Sequence, residues 1–405
     1  MGVIPREVRP LQKVVRGPWV VAAFVAGLLA LAVPVGADSS CDTPIRVLLE
    51  LSRAPVEIVS GGRNYRIETD GPTSIRVNGQ VAEGWRGEWA STQSGDRPLP
   101  GIVEVRPRKG QLAVIAELPL EQYVGGALHG EMPALWGGEA LRAQAVVSRT
   151  YALHERSVHA ERAYHLESGT RSQVFRPNGV PDSIRRAVEA TRCEVLSWRE
   201  APILAVFHSA SGGQTASAGE VWGRDLAYLR SIAVKREHGS PDTYWQTEIS
   251  RTTLERVVEA EGRAVGSVLE AEIVARSESG RVREIRLRGS GGEVSLSGRQ
   301  LRAALGTAKV RSTLFEIEAV EGGFVLSGSG SGHGVGMSQW GARRMALDGA
   351  LYPEILVTFY PGTQLRSWGG DSVGPIIPRD DASARLGMGG TPFSNSNAAG
   401  VGPIR

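Results

Sequence analysis

One carboxylate, Glu131, sits between two helical patterns with a glycine before it and a proline after it, and two arginines, Arg142 and Arg149, follow. A carboxylic acid lodged in an apolar joint keeps its proton to higher pH, can give it to a leaving oxygen, and can then take one back. Arg142 and Arg149 stand seven apart, two helical turns, so they share a face and offer fixed cations to an anionic group. Held against Glu131 they would lower its pKa. On spacing alone all three read as solvated surface groups; a functional site would need the arginines to face a ligand and Glu131 to lie against Leu128, Met132 and Trp136. Two further stretches place polar side chains among glycines. FHSASGGQT, residues 207–215, runs a strand into a tight loop carrying His208, Ser209, Ser211, Gly212, Gly213 and Thr215, where a ligand can approach the backbone. A plain serine–glycine turn would read the same way. GSGSGHGVGMSQWGA, residues 328–342, has six glycines between 328 and 341 and contains His333 and Gln339. His333 either lines a polar cleft or satisfies a backbone carbonyl.

Other chemistries fit poorly. No Gly-Lys-Ser/Thr follows the glycines, which removes a phosphate loop. Ser209 directly follows His208 on a strand, so the two side chains point to opposite faces, and no local motif supports Ser211 as a nucleophile. The histidines lack metal-ligand spacing; neither a metal nor a cofactor is expected.

The elements that must position these residues follow from periodicity. Leu120, Tyr123, Val124, Ala127 and Leu128 recur at helical spacing after Pro119, whose missing N–H suits a first helical position. Gly130 and Pro133 stop that helix, and a second runs from about Glu139 to Leu153. Upstream, residues 42–117 read as β-rich, with runs at 45–51, 56–59, 65–67, 74–77 and 102–105 set between turn residues. Trp85 and Trp89 there pack into the core or an edge in preference to stacking on sugars. Downstream come a segment containing SQVF with Gln173, a short helix at 183–191, and a hairpin of 193–198 and 201–208. A helix at 252–261, strands at 270–276 and 283–287, and a helix at 337–347 complete the pattern. The fold class is α+β: a β-rich N-terminal segment, then a region at 118–366 with a helix pair and further hairpins around a cleft.

The whole chain has a formal charge of +3, but residues 1–37 carry +3 by themselves. The remainder is neutral, and nothing argues for nucleic acid. A basic stretch leads into Trp19–Val35, seventeen residues without charge, and Val35-Gly36-Ala37 fits small-residue cleavage. Residues 1–37 are thus either a cleaved export signal or an uncleaved membrane anchor, and the rest is expected outside the cytoplasm. Cys41 and Cys193, the two cysteines, either pair or remain free thiols. Residues 367–405 read as a disordered Gly/Ser/Pro/Asn-rich tail.

GEMP at 130–133, EALRAQAVVSRTYAL at 139–153, the SGG-T loop at 211–215 and HGVGMSQWGA at 333–342 resemble the family of stage II sporulation protein D and the LytB amidase enhancer. The resemblance touches elements from about residue 43 to 366. It implies a peptidoglycan lytic transglycosylase acting on peptide-free glycan strands, a lyase with Glu131 as its single acid and base. Arg142, Arg149, Gln173, His208, Ser209, Ser211, Gly212, Gly213, Thr215, His333 and Gln339 would then be substrate-binding. Some members hold zinc through a histidine and two cysteines after the second helix; here Tyr164-His165 stands in that region without cysteines, so no such zinc is expected. The other implied role is a non-enzymatic, wall-binding enhancer of a partner amidase. Either role could serve sporulation or general wall remodelling.

Overall fold

The computed structural model describes Cys41 and residues 43–369, apart from 89, 93–96, 99, 236 and 238. The expected leader, Trp89 and nearly all of the expected tail lie outside the described residues. The fold is α+β, with eight helices among the described residues: α1 (Leu120–Glu131), α2 (Gly138–Val158), α3 (Asp182–Ala190), α4 (Ala218–Trp222), α5 (Arg251–Ala260), α6 (Gly298–Leu305), α7 (Gln339–Leu347) and α8 (Tyr352–Phe359).

The N-terminal strands form two stacked sheets. One runs, in spatial order, Leu166–Glu167, Pro44–Ser52, Gln111–Pro119, Ile102–Arg108 and Trp85–Glu88; the other contains Arg63–Thr69 between Ile75–Val77 and Val56–Ser60. Ile58, Ile67 and Ile75 of one sheet meet Trp85, Val103, Val105, Leu112 and Val114 of the other. Trp85 therefore packs in this core against Tyr65. Gln111–Pro119 was not distinguished by alternation because it is central in its sheet and buried on both faces. Its last residue is Pro119, which is consequently the extended residue preceding α1 and not its first turn.

α2 is the axis of the second core. From Ala140 to Glu155 nearly every residue is buried, the pattern of a helix surrounded on all sides. Its small residues Ala140, Ala143, Ala145, Ser148 and Ala152 let neighbours close in; α1, α3, α7, α8 and the strand Glu194–Trp198 all pack on it. Cys41 and Cys193 are disulfide-bonded, with Cα atoms 5.5 Å apart across 152 residues. The bond ties the start of the first strand to the hairpin that follows α3. The order extends past the expected end of the domain: Gln364–Ser367 pairs with Glu194–Trp198, and buried Trp368 donates its N–H to the Cys193 carbonyl at 2.7 Å.

Residues 245–326 have a core of their own, built from Trp245, Ile249, Leu254, Val258, Ile285, Leu287, Leu301, Phe324 and Leu326 among others. Two three-stranded sheets, Trp245–Ser250 with Gly323–Gly328 and Phe315–Val320, and Val268–Arg276 with Val282–Gly289 and Gly292–Leu296, carry α5 and α6. The unit begins and ends at one point, where the Gly330 N–H donates to the Asp242 carbonyl at 2.8 Å. The expected strand 201–208 is broken: Ala201–Pro202 completes the hairpin, and Phe207–His208 pairs in parallel with Met337–Ser338. That pairing brings the two glycine-rich motifs side by side, and it takes Met337 and Ser338 out of the expected helix.

Candidate functional site

Glu131 is the last residue of α1 and is half-buried beside the buried Met132. Two glycines one turn apart explain how its neighbour reaches it. A Cβ on Gly126 would stand 2.4 Å from the Phe175 ring, and one on Gly130 would stand 2.1 Å from the Val174 carbonyl oxygen. With neither present, the SQVF segment lies directly across α1, and the Val174 N–H donates to Glu131 Oε1. Burial raises the Glu131 pKa to about 7; the Val174 N–H, and then the Gln339 amide, pull weakly the other way by favouring the charged form.

Gln339 comes from the distant HGVGMSQ motif. Buried at the start of α7, it donates from Nε2 to the Glu131 carbonyl at 3.3 Å and to Gln144 Oε1 at 3.5 Å. The two motifs therefore meet at the acid.

Neither arginine does. Arg142 is ion-paired with Glu139 within the first turn of α2. Arg149 is fully buried; its Nε and Nη2 donate to the two oxygens of Glu121 at 2.7 and 2.6 Å, and its Nη1 donates to the Glu194 carbonyl at 3.0 Å. Arg149, expected at the substrate, is joined here to Glu121 and fastens α1, α2 and the 194–198 strand together. Sharing a face with Arg142 did not reveal what packs on that face. The tension over Glu131 also dissolves, since no arginine figures among the influences on its pKa.

Gln173 packs behind the SQVF segment, its Nε2 without a partner among the described residues. It has no exposure and accepts from the Tyr123 hydroxyl at 2.7 Å, holding Val174 in place from behind.

The Ser-Gly-Gly loop closes on a carboxylate that spacing did not reveal. Glu237, buried, accepts from the N–H and hydroxyl of Ser211 and from the N–H of Gly212, each at 2.8 Å, and from the Ser338 hydroxyl. Ser211 has no exposure, and its hydroxyl is committed to Glu237. Ser338 also accepts from the Gly341 N–H, capping α7. Thr215 is buried and exchanges hydrogen bonds with Ile232 at 2.9 Å. Gly212, at φ +76°, would clash with Ser329 if it carried a Cβ, whereas Gly213 is exposed. Ser209, half-buried, gives its carbonyl to the Trp340 N–H at 3.0 Å.

Arg281, from the 245–326 unit, stitches the loops together. It donates to the Ser211 carbonyl at 2.9 Å and occupies the space that a Gly334 side chain would take. His208 is buried with Nδ1 3.1 Å from the Val335 carbonyl, so Nδ1 carries its proton; burial, then His333, then Arg281 depress its pKa and keep it neutral. It is not presented to a ligand. His333 accepts the Val335 N–H at Nδ1, 3.1 Å away, and packs between His208 and Trp222 with ring centroids 5.7 and 5.4 Å away. Burial lowers its pKa to about 4, so it is also neutral.

An aromatic pair joins the loop after α1 to α7. Trp136, five residues after Glu131, meets Trp340, the residue after Gln339, edge to face with centroids 4.7 Å apart. The Arg343 guanidinium lies over both rings, 5.3 Å from the first and 4.8 Å from the second. A groove of about 580 Å³ elsewhere, lined by Tyr244, Gln246, Phe315 and Glu316 among others, includes none of these residues.

A family model described as stage II sporulation protein (SpoIID) matches residues 108–198, and a model of a domain of unknown function matches residues 228–336. The first spans the helix pair and the SQVF segment; the second spans the self-contained unit and His333. The chain belongs to the SpoIID family. Stage II sporulation protein D of Bacillus amyloliquefaciens is 30% identical over 267 residues, covering 62% of this chain and 75% of that protein. An uncharacterised protein of Brachyspira hyodysenteriae is 32% identical over 269 residues, covering 64% and 70%. The amidase enhancer of Bacillus subtilis is 28% identical over 291 residues, which are 60% of this chain but only 40% of that protein.

Proposed function

We propose that the protein is a peptidoglycan lytic transglycosylase that cleaves the bond between the muramic acid and glucosamine sugars of peptide-free glycan strands. One observation carries the reading: Glu131, half-buried at the end of α1, takes the Val174 N–H on its carboxylate, and burial outweighs that N–H and the Gln339 amide to lift its pKa to about 7. Near neutral pH such a group is protonated often enough to act first as an acid and is then basic enough to recover a proton. It protonates the bridging oxygen as the bond to the muramyl anomeric carbon breaks. The resulting carboxylate takes the proton of the muramyl 6-hydroxyl, whose oxygen bonds to that carbon. No water enters, the acid is restored, and the product carries a 1,6-anhydro ring. Because the nucleophile belongs to the substrate, one enzymic carboxylate suffices, with the advantage of an intramolecular attack. Hydrolytic glycosidases, by contrast, ordinarily need two. Glu237 does not supply a second, since its oxygens are occupied by the Ser-Gly-Gly loop and Ser338.

The disulfide supports an exported location, because such bonds persist in oxidising compartments; outward-facing anchorage by residues 1–37 would serve the same chemistry. Similarity to the amidase enhancer favours a second reading, in which the chain binds glycan and a cell-wall amidase without cleaving either. Incubating the protein with peptide-free strands and examining the products by mass spectrometry separates the two. Anhydromuramyl ends from wild type but not from Glu131→Gln are expected; indistinguishable products from the two proteins would remove the transglycosylase reading.

A further inference from the structure

Arg343 differs from its neighbours on α7 in having no acid. Arg344, the next residue, is bound by both oxygens of Asp348 one turn on. Among the described residues no carboxylate pairs with Arg343; its charge rests on the faces of Trp136 and Trp340. A guanidinium attracted to ring faces uses its charge and its plane, while the N–H donors at its rim remain available for a planar anion. Packing against two indoles also fixes its direction before any ligand arrives, which reduces the ordering cost of binding.

Its place relative to the acid is set by the helix. Arg343 is four residues beyond Gln339 and three beyond Trp340, so all three share one face of α7. Gln339 touches the Glu131 carbonyl, and Trp340 touches Trp136, which lies on the loop leaving Glu131. The free cation therefore stands one helical turn from the residue that contacts the acid. Both indoles are half-buried, leaving apolar surface beside the cation.

We infer that Trp136, Trp340 and Arg343 form an anionic-sugar subsite, in which the Arg343 guanidinium binds the lactyl carboxylate of a muramic acid residue and the indoles line its ring. The inference rests on the proposed glycan substrate and makes that substrate more specific. A stem peptide converts the lactyl carboxylate to an amide and removes the anion, so Arg343 distinguishes stripped strands from substituted ones. It replaces Arg142 and Arg149, whose charges are already met by Glu139 and Glu121, as the cation of the site.

The test measures binding, so that it stands or falls separately from catalysis. Full-length Glu131→Gln protein is titrated calorimetrically at low salt with peptide-free glycan strands. The same strands with their lactyl carboxylates converted to methylamides provide the neutral comparison. Loss of one charge-assisted contact is expected to weaken binding about 10- to 100-fold for the methylamide strands. Adding Arg343→Gln should bring the two strands to within about twofold of each other, and Arg343→Lys, which keeps charge but loses the planar fork, should fall between. A merely structural Arg343 would change stability without changing the ratio between the strands. Equal affinity of Glu131→Gln for both strands, binding of neither, or an undiminished ratio with Arg343→Gln would each overturn the subsite. Absence of anhydro products from wild type would sink the transglycosylase reading alone.

Discussion

Two carboxylates sit beside glycine-rich backbone in this molecule, and their surroundings differ in kind. Glu237 is wrapped by two N–H groups and two hydroxyls, so that its loop, the Ser-Gly-Gly turn and the start of α7 are held as one piece. Glu131 takes the Val174 N–H on its carboxylate, from a segment that glycines admit to its helix, and burial outweighs this N–H and the Gln339 amide together. A carboxylate surrounded by donors is a fastener, whereas one that is poorly supplied with them is left with unspent capacity for a proton or a ligand. The lesson is that nearness to glycine-rich backbone does not set an acid's character; the donors around it do.

Mutating each acid tests the contrast, and the largest effect should come from Glu131→Gln. Formation of anhydromuramyl ends is expected to fall at least about a thousandfold, as for loss of a general acid, with the thermal midpoint unchanged or raised. Glu237→Gln should behave in the opposite way, costing about 2–4 kcal/mol in denaturant unfolding because buried donors lose their acceptor. A Glu237→Gln protein of wild-type stability with no activity would collapse the distinction between the two acids.

Next in size is a pH-dependent stability difference. The folded pKa of Glu131, about 7, lies above its ordinary 4.5, so folding takes up a proton between those values. Its stability contribution is full below pH 4.5 and is lost as pH rises through 7. Glu131→Gln should therefore gain about 1–3 kcal/mol over wild type at pH 8 and little at pH 4, as read from urea curves at the two pH values. The smallest effect is the most specific. Gly130→Ala drives Val174 away from α1 and removes the N–H that favours the charged form. The alkaline limb of the pH–rate profile should then move upward by about half to one unit; a downward shift would show that this N–H is not what tempers the acid.

The helix pair and the acid at its joint were legible because helical periodicity and a Gly/Pro boundary are local signals. What packs around them was not. Arg142 and Arg149 obey the same spacing, yet one lies at the surface and the other is sealed against Glu121, a difference set by elements that arrive later in the chain. Glu237 lies over twenty residues from the serines that it holds, with no spacing to announce it. Trp136 and Arg343 belong to opposite ends of the domain and acquire a shared role only when α7 docks on α2. Gly126 and Gly130 did carry a readable hint: a pair of glycines one turn apart on a helix marks where another backbone comes close.

The hydrogen bond between Gly330 and Asp242 closes the neck of the 245–326 unit. Departure and return through a single gate mean that whatever grows on the far side can be lengthened, trimmed or exchanged without re-threading the helices around the acid. Arg281 and Arg311 reach back across that gate to the Ser211 carbonyl and to Asp242, and Ser279 and Arg299 reach Glu220 and the Val221 carbonyl. A graft that kept these four contacts in place would give the region around Glu131 a different outer face.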